Sequence, residues 1–155
     1  MSKIVKDEYY LQSSLSFFKS KYEKRLKFLK NKNFLFNEIS NFINNCIDET
    51  KNIFIFCAGN SSIGKNINAK KIYIKEIDNN YEINYGENIY YDNKIRSEHI
   101  SECDTVLIAD IEHQSNPTSN LLNLSRLIKD NAKIVILSKN LTWMVFIKFL
   151  KIFFD

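Results

Sequence analysis

Three groups of side chains in this sequence could do chemistry. Cys57-Ala58-Gly59-Asn60-Ser61 follows directly on the apolar run at 53–56 (IFIF) and leads on to Gly64-Lys65. Small residues after a buried strand let backbone N–H groups come close to a ligand, and Gly59 is the one best suited to that approach. Asp110-Ile111-Glu112-His113 follows a second apolar run, TVLIA at 105–109. A carboxylate beside an imidazole can move a proton near neutral pH or, for His113, simply hold a loop by a hydrogen bond. Glu76 stands nineteen residues after Cys57. In α/β nucleotide sites an acid about 20 residues beyond the first turn accepts the ribose hydroxyls. The alternative for Glu76 is a solvated carboxylate at a strand end.

Two loop chemistries compete at residues 57–66. Read from Gly59, the letters G-x-x-x-x-G-K match a P-loop, with Asn66 where a magnesium-binding Ser or Thr belongs. The apolar strand before Asp110, with Glu112, would suit that reading. However, the next strand pattern starts at Lys71, six residues after Lys65, which leaves little room for the helix that serves the phosphates. An adenosine ligand without phosphate fits the spacing better. S-adenosylmethionine (SAM) needs small residues after the first strand, an acid at the end of the second and a shaped wall after the fourth. Cys57–Ser61, Glu76 and Asp110–His113 answer in turn.

These residues need elements to position them. Leu15, Phe18, Tyr22, Leu26 and Leu29 make an apolar stripe that predicts a helix over 15–29. Leu35, Ile39, Phe42, Ile43 and Cys46 predict a second over 34–47. Apolar runs at 53–57, 71–77, 105–109 and 133–137 predict strands, those at 53–57 and 105–109 buried on both faces. Residues 63–69 could hold a short helix. Residues 81–85 alternate like a strand, and 72–85 could close as a hairpin across Asp78-Asn79-Asn80. Residues 86–102, including His99, carry no clear pattern. Asn116-Pro117 reads as an N-cap followed by Pro in the first turn, opening a helix to Lys129. Residues 141–154 are apolar on nearly every helical face, which predicts a core helix or a partner: another copy or another protein. Two helices and then alternating strands and helices predict an α/β fold, a Rossmann-like three-layer sandwich with a mainly parallel sheet. Residues 1–50 form a helical lead-in and 51–155 the core.

Composition narrows the function classes. A net charge of +4, with acids and bases mixed along the chain, gives no clustered nucleic-acid face. Cys46, Cys57 and Cys103 are dispersed and odd in number, without a C-x-x-C pair, so a structural zinc is not expected and a reducing cytoplasm is. Cys46 and Cys57 read as small core residues. No apolar run reaches the ~18 residues of a membrane span.

The segment 104–143 resembles the second half of the class I SAM-dependent methyltransferases. Asp104 opens the fourth strand, Glu112-His113 follow it, and Asn116-Pro117, a helix through 121–128 and a fifth strand at 134–137 fall in register. Residues 21–43 resemble the lead-in helices of a subgroup found beside bacterial glycan or lipopolysaccharide genes. The resemblance extends over most of 15–148 and implies a methyltransferase for a small-molecule or glycan-linked acceptor. It implies that Cys57, Ala58, Gly59, Asn60, Ser61, Glu76, Asp110 and Ile111 hold SAM, and that Glu112 and His113 act on the substrate side. The sequence also departs from the family. Its loop reads acid-x-G-x-G-x-G; here Ile55 or Phe56 stands at the acid, Cys57 at the first Gly and Ser61 at the third. A metal-using branch has an acid where this chain has Ala109, so no metal is expected. The strands that usually follow the fifth are missing, which implies a minimal or shortened core. A non-catalytic interaction module built on the same scaffold is the alternative.

Overall fold

The computed structural model describes residues 11–21, 23, 24, 27, 33–48, 51–56, 66–76, 87–91, 95–109 and 111–138. The elements, in chain order, are α1 (Gln12–Ser20), α2 (Asn33–Cys46), β1 (Asn52–Phe56), β2 (Lys71–Lys75), β3 (Ile89–Tyr91), α3 (Ser97–Ser101), β4 (Thr105–Ala109), a 3-10 turn (Ile111–His113), α4 (Pro117–Ser125) and β5 (Lys133–Leu137). The five strands form one sheet in the order β3-β2-β1-β4-β5. Every pairing is parallel. The fold is α/β and Rossmann-like, with helices on both faces.

Alternation along the strands creates the two cores. Phe54, Phe56, Tyr73, Val106 and Ile108 face one side, where Leu15 of α1, Ile100 of α3 and Leu124 of α4 meet them. Ile53, Ile55, Ile72, Ile74, Leu107 and Ala109 face the other, where Ile43 of α2 and Ile67 close over them. Both sides of β1 and β4 are therefore apolar, which is why their sequences run without a polar break. Each such buried side chain stabilises the fold by about 1.5–3 kcal/mol. On the α1/α4 side Tyr73 stacks between Tyr90 at 5.2 Å and His99 at 4.9 Å. Burial, and then the Glu102 charge, push the Tyr73 phenol above its usual range.

Several boundaries differ from the sequence pattern. The helix expected over 15–29 is interrupted rather than continuous: α1 is capped at Lys21, whose N–H donates to the Phe17 carbonyl, and the described residues 23, 24 and 27 beyond that break are again helical. Phe42, expected on the inner face of α2, is exposed, while Ile43 carries the packing. Residues 66–70 are not helical. They form an irregular segment whose backbone bonds to side chains of α2 in place of helical hydrogen bonds. Asn44 Nδ2 donates to the Asn66 carbonyl, the Asn68 N–H donates to Asn44 Oδ1, and Asn66 Nδ2 donates to Asn37 Oδ1. A hairpin over 72–85 does not form on β2, whose two sides are taken by β1 and β3. The strand pattern at 81–85 and the apolar stretch 141–154 lie outside the described residues. Residues 86–102 supply both β3 and α3. α4 starts where Asn116-Pro117 says it should, with Asn116 Oδ1 accepting from the Ser119 N–H at 3.0 Å, but it stops at Ser125. Of the two cysteines among the described residues, Cys103 is buried and Cys46 is only partly covered. Burial, then the neighbouring Asp104 charge, push the Cys103 thiol up to about 12, so it stays protonated in the core.

Asp104 ties the amino ends of three strands. Its N–H donates to the Asn52 carbonyl and its own carbonyl accepts from the Lys133 N–H, both at 2.9 Å. Its carboxylate accepts from the Asn52 N–H at 3.3 Å and from Lys129 Nζ at 2.9 Å. The residue that opens the fourth strand therefore has a structural role, at the edge of the sheet away from the strand-end loops.

Candidate functional site

The chain runs from β1 outward to β2 and β3, then returns to place β4 and β5 on the other side of β1. At that reversal the connections from the carboxyl ends of β1 and β4 diverge, and parallel α/β sheets bind ligands in the crevice so formed. The last pairs at this edge are Phe56 with Lys75, Phe56 with Ile108 and Ala109 with Leu137. Topology thus brings the end of β1, Glu76 after β2, and the turn after β4 to one edge of the sheet. Cys57–Ser61 and Asp110 lie outside the described residues, as does the side chain of Glu112.

Glu76 is 3% exposed. It is not a solvated strand-end carboxylate. A buried carboxylate has to be matched by donors or counter-charge, because bare desolvation of an anion is costly. It lies one residue beyond the final β1–β2 pair, at the carboxyl end of the second strand.

The turn after β4 is held from two sides. Its Gln114 N–H donates to the Ile111 carbonyl at 3.1 Å. From α1, the Leu11 N–H donates to the His113 carbonyl at 2.9 Å, and Ser14 Oγ sits 3.1 Å from His113 Nδ1. From α4, Asn120 Nδ2 donates to Gln114 Oε1 at 2.9 Å in a buried contact. Ile111 packs against the core under α1 and α4. The loop is thus preorganised by its own neighbours, and His113 does have the loop-holding hydrogen bond that its sequence context allowed. Ser14 and Gln114 were not singled out by sequence. Ser14 looks like any helical serine, and only the 99-residue separation closed by the fold gives it meaning. Gln114 adjoins the acid–imidazole pair, so its position was a signal that could have been used.

Among the described residues no three His, Cys, Asp or Glu side chains converge as metal ligands, and no helix is long and apolar enough to cross a membrane. The class defined by fold and site is a Rossmann-like α/β protein with a buried acid after its second strand. No family model matches the sequence, and neither a curated protein nor a solved structure matches at a significant level.

Proposed function

We propose that this chain binds SAM at the carboxyl edge of its sheet and transfers the methyl group to a small-molecule or glycan-linked acceptor. The observation that carries the reading is Glu76, buried immediately beyond β2, next to the strand where the chain reverses. A carboxylate there can accept both ribose hydroxyls of an adenosine. Cys57–Ser61 would pass beneath the nucleoside, and Asp110 and Ile111 would border it. Glu112 and His113 would face the acceptor, whose nucleophile attacks the sulfonium methyl in line, with positioning as the main source of rate. The bacterial setting and reducing cytoplasm implied by the resemblance and the cysteines belong to the same proposal, as does a partner for residues 141–154.

A second reading is supported by one feature of the loop. Cys57 and Ser61 put a Cβ where a close backbone approach favours Gly. On that ground the scaffold would serve as an interaction module without cofactor.

Titration calorimetry with SAM separates these readings. The methyltransferase reading expects micromolar binding, weakened at least tenfold in Glu76→Ala. Hydrogen bonds to a charged acceptor are worth about 1.5–3 kcal/mol each, and about 1.4 kcal/mol is tenfold in affinity. No heat with folded wild-type protein leaves the interaction module. Binding of ATP with magnesium but not SAM would instead favour the P-loop reading of Gly59–Lys65.

A further inference from the structure

We infer that α1 is a strap that docks and releases as a unit of its own, and that its docked state holds the turn after β4 in the form that takes a ligand. The inference rests on the reading that this turn borders the ligand, and it makes occupancy of the site depend on the lead-in helix.

α1 owes its helicity to docking. It has nine residues, its N-cap is Leu11, and neither a side-chain cap bond nor an acid in the first turn supports its amino end. Isolated helices shorter than about 12–15 residues are marginal in water, and leucine is among the poorest N-caps. Phe17 is 54% exposed, and among the described side chains of α1 the buried apolar one is Leu15. α4 differs in kind. Asn116 caps it by accepting from the Ser119 N–H, and its Asn120 holds Gln114 in a buried contact. The turn after β4 thus has a firm hold from α4 and a releasable one from α1.

The docking point of α1 is that turn. Leu11 and Ser14 are three residues apart, so they lie on the same side of the helix. The Leu11 N–H donates to the His113 carbonyl at 2.9 Å, and Ser14 Oγ lies 3.1 Å from His113 Nδ1. Next to Ser14, Leu15 enters the core cluster on which Ile111 packs. Release of α1 therefore takes a backbone donor from His113 and apolar cover from Ile111 in one step. Docking and ligand binding are then reciprocal. A ligand that prefers the docked form raises its population, and loss of docking weakens the ligand.

Amide exchange of the 15N-labelled full chain tests this first without ligand. The amides of Leu11, Leu15 and Lys21 donate to the carbonyls of His113, Leu11 and Phe17. They should exchange through one shared opening, at least about tenfold less protected than Ile55 and Leu107 at the centre of the sheet. Two variants release the strap. Leu15→Asp puts a carboxylate where docking would bury it, and Ser16→Pro breaks the helix at an exposed position. In both, the α1 amides and the Gln114 amide of the turn should lose protection, while Ile55 and Leu107 stay slow. With SAM, the α1 and Gln114 amides of the wild type should slow further. Calorimetry should show both variants binding SAM at least about tenfold more weakly, because the competent fraction has fallen.

Four results overturn the inference: α1 exchanging only together with the sheet centre, unfolding of the sheet in both variants, a Gln114 amide that stays protected once α1 is released, or unchanged SAM affinity in the variants. If the wild type binds no SAM, the methyltransferase reading falls, and the exchange measured without ligand still decides whether α1 governs the turn.

Discussion

Asp104 and Glu76 are both carboxylates at strand ends, and their surroundings give them different tasks. Burial pushes the Asp104 carboxyl up, but hydrogen bonds from Lys129 and the Asn52 N–H, with the charges of Lys129 and Lys51, outweigh it and hold the group below the usual carboxylate range. A lowered folded value means that the charged form is favoured in the native state. Its stabilisation is therefore complete above the ordinary carboxylate pKa of about 3.9 and is lost as pH falls through the lower folded value. The Lys129 and Asp104 side chains are 39% and 28% exposed, so the ion pair itself contributes only about 0.2–1 kcal/mol. With the Asn52 hydrogen bond included, Asp104→Asn should cost about 1–2 kcal/mol at pH 7. Urea unfolding at pH 7 and again at pH 3 checks this: the gap between wild type and variant should narrow at the lower pH, and a constant gap would mean that charge is not its source.

At the scale of elements, the connection between β1 and β2 shows how a segment with few apolar residues is held. Residues 66–69 dock on α2 through Asn side chains, with Ile67 as the one buried anchor. Asn44 both donates to the Asn66 carbonyl and accepts from the Asn68 N–H, doing for this segment what a neighbouring strand would do. Because these bonds are solvent-exposed, Asn44→Ala should cost only about 1 kcal/mol. Amide exchange at Asn68 should accelerate in the variant, while exchange in β1 and β4 stays unchanged. The elements also mark where sequence reading works. β4 and β5 fall at the predicted residues because five-residue apolar runs bounded by polar turns leave little choice. The start of α4 was legible because Asn-Pro carries its own capping chemistry. The path at 66–70 was not, since Asn is equally at home in a turn, a cap or an extended segment. Glu76 could be placed at the end of the second strand from the strand pattern that starts at Lys71. Ser14 could not, because its partner is supplied by tertiary structure alone.

For the whole molecule, stability is concentrated at the centre of the sheet. Ile55 is fully buried between β2 and β4, whereas Ile136 on β5 is 48% exposed. Ile55→Ala should cost about 2–5 kcal/mol, from transfer and cavity terms together. That is a large part of the 5–15 kcal/mol typical of a domain. Ile136→Ala should cost under about 1 kcal/mol, because half of that side chain already meets water. Guanidinium unfolding of the two variants beside wild type tests the contrast, and equal losses would mean that the β5 side is covered in solution.

The pairing of Ile53 with Thr105 has a consequence for biosynthesis. About 50 residues must be translated after β1 before its β4 neighbour exists, which takes about 2–10 s at usual elongation rates. The docking of α1 on His113 waits longer still. During that interval NIFIF can pair with β2 and pack on α2, but its β4 edge and the face that later meets α3 and α4 stay open, and this is the point at which slowed decoding would change the yield of folded protein.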